Sequence, residues 1–350
     1  MTSERPVLEV VSPGAYATIQ DLGRRGFRRH GVPWSGALDS RLLRIANALA
    51  GCPETAPVIE AFDGGLHLTA REGLVRLAVA GRVEMERLGP DGARTERPWE
   101  TLTLLPGESL RIRRMVGGRL AMVAVAGLSC PQVLGSAATY GRAGLGGWDG
   151  GPLRGGQRWP LAPAGGKSGP ALRMLRTPQR LTDPIRVVFG PQDDYFPAET
   201  LASFLAQPYR IGQDADRMGI RLAGPSLRHR GATEMLSDAI VPGAIQVPGN
   251  GQPVVLLADA QTAGGYPKIA TVIGADLARL ADLPVGSPVR FGAVSVEAAV
   301  SLAREAEAET QALLAAIRGE TDGGWDEPAL YAANLVGGVV DALRPGSEEG

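Results

Sequence analysis

Lysine is almost missing from this chain of 350 residues: of its 36 basic residues only Lys167 and Lys268 are lysine, and the rest are arginine. Cysteine is equally scarce. Cys52 and Cys130 stand alone without a Cys-x-x-Cys spacing, so no disulfide framework is built in, and reduced thiols are expected. His30, His67 and His229 are far apart and no His-Glu-x-x-His spacing occurs, so no metal is expected. Long apolar runs are lacking too. The clearest, about Leu120–Ala126, falls far short of a membrane span, and Met1-Thr-Ser-Glu-Arg5 opens no signal-peptide core. Neither sign of charge is in excess. A formal net charge of −1 gives nucleic acid or an anionic membrane no reason to bind, and a cytoplasmic location is expected.

The common nucleotide and hydrolase signatures are absent as well. Gly166-Lys167-Ser168 imitates the end of a phosphate-binding loop, but the glycine required at position 161 is Leu161, and Pro163 and Pro170 bracket the segment. Gly144-Leu-Gly146 fails the dinucleotide pattern because Asp149 stands at its last position, and no Gly-x-Ser-x-Gly elbow occurs.

What the chain has in quantity is glycine (48) and proline (27), placed so that they cut it into short Val/Leu/Ile runs. Leu74–Val79, Leu120–Val125, Ile185–Phe189 and Val254–Leu257 read as strands of a mainly β protein. Helices are expected over Ser40–Ala50, capped by Asp39 or Ser40, over Pro197–Ala206 and over Val296–Arg318. The Gly/Pro-rich stretch Gly141 to Pro170 suggests a boundary before Ile185. The two sides of it share spaced landmarks. Pro13-Gly14 matches Gly190-Pro191, Ile59-Glu60 matches Thr233-Glu234, and Arg111 matches Arg290, which predicts two related β-barrel halves. The expected units are 1–180, 181–295 and a helix with a docking tail, 296–350. The apolar residues among Glu327 to Leu343 predict that this tail docks as a short helix.

Polar residues gather in two turn-rich clusters. One is Ser12-Pro-Gly-Ala-Tyr-Ala-Thr-Ile-Gln-Asp-Leu-Gly-Arg-Arg-Gly26 with Gly31-Val-Pro-Trp-Ser-Gly-Ala-Leu-Asp39. The other joins Gly190-Pro-Gln-Asp-Asp-Tyr-Phe196, Asp216-Arg-Met-Gly219, Val241-Pro-Gly-Ala-Ile-Gln-Val-Pro248 and Asp259-Ala-Gln-Thr-Ala-Gly-Gly-Tyr-Pro-Lys268. Loops on a rigid β scaffold are where binding residues concentrate. Asp259, Gln261, Tyr266 and Lys268 suit a small amide or carboxylate: Gln offers donor and acceptor edges, Lys neutralises an anion, and Tyr donates a hydrogen bond. The competing reading is that Gly264-Gly-Tyr-Pro267 is only a demanding turn. Asp21 and Arg24 either bracket the Gly23 turn as an ion pair or contact substrate, and Asp216 and Arg217 pose the same choice. Asp39 is expected as a helix cap beside Ser35, Gln246 and Asn250 as pocket lining, and Glu60 and Glu234 as repeated structural groups.

The blocks TIQDLGRRG, GVPWSGALD, GPQDDYF, DADRMGIRLAG, VPGAIQVPGNGQPVVLLADAQTAGGYPKIATVIGADL and LPVGSPVRF, in this order, resemble the family that provides the C-type subunit of bacterial 5-oxoprolinase. That family is also called biotin-dependent carboxyltransferase-like or allophanate hydrolase subunit 2-like. The resemblance covers about residues 7 to 292 and implies two cyclophilin-like β-barrel halves. It also implies a subunit acting with A-type and B-type (KipI-like) partners in the ATP-dependent opening of 5-oxo-L-proline, a small cyclic amide, to L-glutamate. ATP then belongs to the complex. Catalytic roles for Lys268, Asp259 and Gln261, and substrate contacts from Tyr266, Gln246, Asn250, Arg217, Asp21, Arg24 and Ser35, are the expectation. Two alternatives remain: a biotin-dependent urea or amide carboxyltransferase, or a non-catalytic partner of a KipI-like protein. Neither lysine is flanked by methionine as a biotinylation site requires, and Ala260 stands where the family often carries arginine.

Overall fold

Punctuation by glycine and proline does produce short strands. The computed structural model describes residues 5–162, 169–179, 184–231 and 234–319. Gly166-Lys167-Ser168, Thr233 and the tail from 320 onward lie outside the described residues.

Two antiparallel sheets make up the first half. A six-stranded sheet runs Arg158–Pro160, Val7–Pro13, Leu66–Glu72, Ser109–Met115, Val83–Gly89, Gly92–Glu96. A five-stranded sheet runs Tyr16–Gln20, Val58–Phe62, Leu120–Val125, Val75–Gly81, Thr101–Leu104. Their inner faces share a core that includes Leu8, Val10, Ile19, Leu68, Leu77, Val79, Ile112, Val123 and Trp159. The five-stranded sheet is buried on its other face as well. Helix α1 (Ser40–Ala50) lays Leu43, Ile45, Ala46 and Leu49 against Ala78, Ala80, Met122 and Ala124. Burial on both faces is why Leu120–Val125 is apolar throughout instead of alternating. Asp39 caps α1, its carboxylate accepting from Leu42 N–H at 2.9 Å, and Gly51 ends it in the left-handed conformation.

In the second half there is one eight-stranded sheet. Its order is Pro288–Val289, Tyr209–Ala215, Gly219–Ala223, Val254–Leu256, Ala244–Gln246, Lys268–Val272, Ile185–Phe189, Phe291–Ala293. All neighbours are antiparallel except the last pair. The two outermost strands are consecutive in the chain with Arg290 between them, so one short segment brings the sheet's edges together into a nearly closed barrel. Helix α2 (Ala198–Ala206) inserts Phe204, which stacks on Phe291 at 4.7 Å between ring centres. Leu38, Phe62 and Leu120 of the first half belong to this second core, so apolar packing is continuous across the junction.

A third helix, α3 (Gly274–Ala281), was not expected. It has only eight residues, and its cap, Ile273, offers no side-chain acceptor. Its buried Asp276 receives Arg186 through both the backbone N–H at 2.7 Å and the guanidinium. Helix α4 (Val296–Ala315) ends three residues before the expected limit and gives way to the strand Ile317–Gly319, which pairs with Leu172–Met174. It returns to the first half, where Leu313, Leu314 and Ile317 join the apolar face of α1 and Arg44 bonds Glu307 at 2.8 Å.

The landmarks of duplication fare unequally. Gly14 and Gly190, both with positive φ, close the first strand of each half. Glu60 and Glu234 differ: Glu60 is fully buried in a strand, whereas Glu234 is exposed and outside any strand.

Candidate functional site

Two polar clusters lie where the halves meet and at the adjoining end of the second barrel. The first is centred on Arg217, in the turn between Tyr209–Ala215 and Gly219–Ala223. Asp216 shapes that turn by accepting the N–H groups of Met218 and Gly219. Arg217 holds Asp259 with a two-pronged grip, Nε to Oδ2 at 2.9 Å and Nη2 to Oδ1 at 3.1 Å. It also reaches across to the first half, bonding Glu60 through Nη1 and Gly36 O through Nη2 at 2.7 Å. The other Glu60 oxygen accepts Leu38 N–H at 2.7 Å. All three charged groups are buried. Burial by itself depresses Arg217, but the fields of Glu60 and Asp259 and its bonds to both reverse this and leave the guanidinium above its ordinary value. Burial holds Glu60 above the usual carboxylate range, against the pull of Arg217 and the Leu38 N–H.

Beside this triad the first-half loops contribute Asp21, Arg24 and Ser35. Of the two readings the sequence left open for Asp21 and Arg24, the ion pair does not form. Asp21 accepts from Gly23 N–H at 2.7 Å, Ser136 Oγ at 2.6 Å and Ala137 N–H at 2.7 Å, which ties the loop to the segment at 136–137. Arg24 is buried, bonds Ala138 O, and leaves Nη1 without a partner. Burial lowers it from its ordinary value, opposed by Asp21 and Asp259. Ser35 adopts φ +52°, donates its N–H to Ala258 O at 3.1 Å across the junction, and keeps a buried hydroxyl without a partner.

The second cluster surrounds Lys268, the first residue of its strand and 2% exposed. Its Nζ bonds Asp238 at 2.8 Å and Ala239 O at 3.1 Å. Gln192 clamps the pair from the other side, accepting Lys268 N–H at 3.2 Å and donating to Asp238 at 3.0 Å. Asp238 is held below its ordinary range by Lys268 first, then by Ala239 N–H and Gln192. Gln246 is the cross-strand partner of Lys268, and its amide donates to Tyr266 O at 3.4 Å. A Cβ at Gly264 would come within 2.7 Å of Ile240 Cδ1 and 2.8 Å of Gln246 Nε2, so a larger residue there would push the ends of these two side chains aside. Arg28 of the first half bonds Ile240 O, next to Ala239, so the two clusters are linked through this loop.

The structure therefore gathers Arg217 with Asp259, and Lys268 with Gln246 and the backbone of Tyr266. Gln261 is exposed, Tyr266 is 40% exposed, and Asn250 is exposed with Oδ1 accepting Gln252 N–H in its own turn. Sequence reasoning missed Asp238, whose partner lies 30 residues away, and did not single out Gln192 within GPQDDYF. Two clefts, of about 450 and 740 Å³, open near α1, α3 and α4. Ser35 lines the larger, whereas neither is lined by Asp259, Gln261 or Lys268. No group of three or more His, Cys, Asp or Glu placed to hold a metal occurs among the described residues. None of their helices is long and apolar enough to cross a membrane.

Residues 30–293 match the family described as "Carboxyltransferase domain, subdomain A and B". The chain belongs to this family. As a family member it is 38% identical to the C-type subunit of 5-oxoprolinase from Escherichia coli, over 84% of its own length and 93% of that protein. It is 35% identical to the corresponding 5-oxoprolinase subunit from Haemophilus influenzae, over 86% and 96%. In fold it resembles the Kluyveromyces lactis urea amidolyase, with a TM-score of 0.78 and 25% identity over 88% of this chain, but it spans only 20% of that much longer protein. The protein TTHA0988 gives a TM-score of 0.72 at 33% identity, over 83% of this chain and 56% of that one.

Proposed function

We propose that this family member is the C-type subunit of a cytoplasmic, ATP-dependent 5-oxoprolinase. With A-type and B-type (KipI-like) subunits it would hydrolyse 5-oxo-L-proline to L-glutamate. The observation that carries this is the similarity to the two 5-oxoprolinase subunits over 84% and 86% of this chain, which spans both halves and not one motif. On this reading residues 1–180 and 181–295 are the two barrel units and 296–350 the docking segment. Lys268, held by Asp238 and Gln192, supplies positive charge to the lactam oxygen as the ring opens. Gln246, paired with it across the strands, reads the amide edge. Asp259, gripped by Arg217, and the exposed Gln261 and Tyr266 complete the roles expected from sequence, with Arg24 and Ser35 on the first-half side. Arg217, Asp21 and Asn250 serve by holding loops in place.

ATP belongs to the assembled complex on this reading, and this chain alone is inactive. The N-termini of α1 and α4 are closed by Asp39 and Ser295, which leaves neither of these two as a phosphate cradle. The decisive test is to co-express it with the A-type and B-type subunits and measure glutamate formed from 5-oxoproline with and without ATP. ATP-dependent glutamate that vanishes when this chain is omitted is expected. No glutamate from a correctly assembled complex would sink the reading.

One observation favours a second reading. The fold matches the urea amidolyase more closely than TTHA0988, which fits a carboxyltransferase acting on a urea-like acceptor with carboxybiotin carried by another protein. Carboxylation of urea by this chain with added carboxybiotin would select it.

A further inference from the structure

The loop that carries Gly23 to Gly31 places several arginines together, and none of Arg24, Arg25 and Arg28 forms an ion pair with a carboxylate among the described residues. Several arginines elsewhere, among them Arg44, Arg71, Arg87, Arg114, Arg119 and Arg158, have carboxylate partners. Here the guanidiniums are positioned by an aromatic ring instead. Arg25 sits 4.1 Å and Arg28 5.2 Å from the centre of Trp34. A ring fixes such a cation without neutralising it, so its donors stay available. Arg28 spends Nη2 on Ile240 O and leaves a buried Nη1 without a partner.

Trp34 leads into Ser35, whose residue is 6% exposed and whose hydroxyl has no partner. A buried hydroxyl left unbonded is destabilising, and a non-glycine residue at φ +52° adds backbone strain. Arg25, Trp34 and Ser35 line the 740 Å³ cleft together with Pro242 and Ala258 from the second half. The cleft's two carboxylates, Glu54 and Glu307, are both bonded to Arg44 at 2.8 Å, and neither forms an ion pair with Arg25.

We infer that this cleft between the halves, built on Trp34, Ser35 and Arg25 with Arg28 at its side, is a binding site for a small oxyanion, a carboxylate or a phosphate. The anion accepts from the free arginine donors and from the Ser35 hydroxyl, and in doing so pairs the polar atoms that folding leaves unsatisfied. The site stands on its own geometry. Only the use of 5-oxoproline as a probe rests on the oxoprolinase reading.

Isothermal titration of the purified full chain with 5-oxo-L-proline, inorganic phosphate and uncharged 2-pyrrolidinone tests it. Saturable binding of an anion is expected, with affinity at least about tenfold weaker in Arg25→Ala and in Ser35→Gly. Glycine suits the φ +52° backbone, and Arg25 is exposed, so both variants should fold, as circular dichroism would verify. Binding of 5-oxoproline but not phosphate assigns the site to the substrate carboxylate, and the reverse assigns it to phosphate. The inference falls if neither anion binds, if 2-pyrrolidinone binds as tightly as 5-oxoproline, or if both variants keep full affinity. An assembled complex that forms no glutamate while anion binding persists would count against the oxoprolinase reading alone.

Discussion

The two halves use buried charge in opposite ways. On the first-half side of the junction Glu60 is fully buried, and both of its oxygens are satisfied, one by Leu38 N–H of its own half and the other by Arg217 across the junction. At the barrel end Lys268 is just as buried, yet its partner Asp238 has a side chain 45% exposed and sits on a two-residue strand. A buried ion facing another buried ion is committed to structure. A buried ion facing a partly solvated one can exchange that partner for a ligand at small cost. On the proposed reading, the contrast puts stability first for Arg217 and Glu60 and chemistry first for the Lys268 cluster.

The largest effect should come from breaking the triad. Arg217→Ala leaves Glu60 and Asp259 without their common cation, and urea denaturation should show a loss of about 3–5 kcal/mol. A loss under about 1 kcal/mol would mean that the triad is not structural. The converse substitution sharpens the contrast. Lys268→Met keeps the buried stem and frees a carboxylate that water already reaches, so the denaturation midpoint should change little. Glutamate formation by the assembled complex should fall by about 100-fold or more, the scale of losing one charge-stabilising group. Equal damage to stability and activity would erase the distinction.

The smallest effect is expected at Glu9, remote from both clusters. Hydrogen bonds from Arg71 at 2.8 and 3.0 Å and from Arg158 at 2.6 Å lower its pKa from 4.5 to about 2. Because the folded value lies below the unfolded one, its contribution is complete above about pH 4.5 and fades as pH falls towards 2. Thermal melts of Glu9→Gln should therefore lose part of the wild-type slope between those pH values and match it more closely below them.

Features that depend on neighbours in sequence were legible. The span of α1, its Asp39 cap and the strands Leu120–Val125 and Ile185–Phe189 appear where residue pattern alone put them. Lys268 attracted notice because lysine is so rare, and it is buried and paired instead of lying on the surface. What escaped were pairings between distant segments. Glu60 and Arg217 are 157 residues apart, and nothing local marks either as the other's partner. The spaced match of Glu60 with Glu234 misled for the same reason, since position in a repeat does not reveal which face a side chain takes. Asn250 and Gln261 sit in blocks resembling the family's, but whether a loop side chain turns inward depends on packing that the loop's own residues do not encode.

The joining of the eight-stranded sheet's edges through Arg290 also limits how other proteins can attach. Its outermost strands, Pro288–Val289 and Phe291–Ala293, are two and three residues long, and Pro288 has no N–H to donate. A partner that binds by lending a strand finds little purchase on that barrel. The first half is different: its sheet ends in Gly92–Glu96, five residues long and largely exposed. Strand-lending contacts would favour the first half, leaving the Lys268 end of the barrel to be approached by loops and side chains.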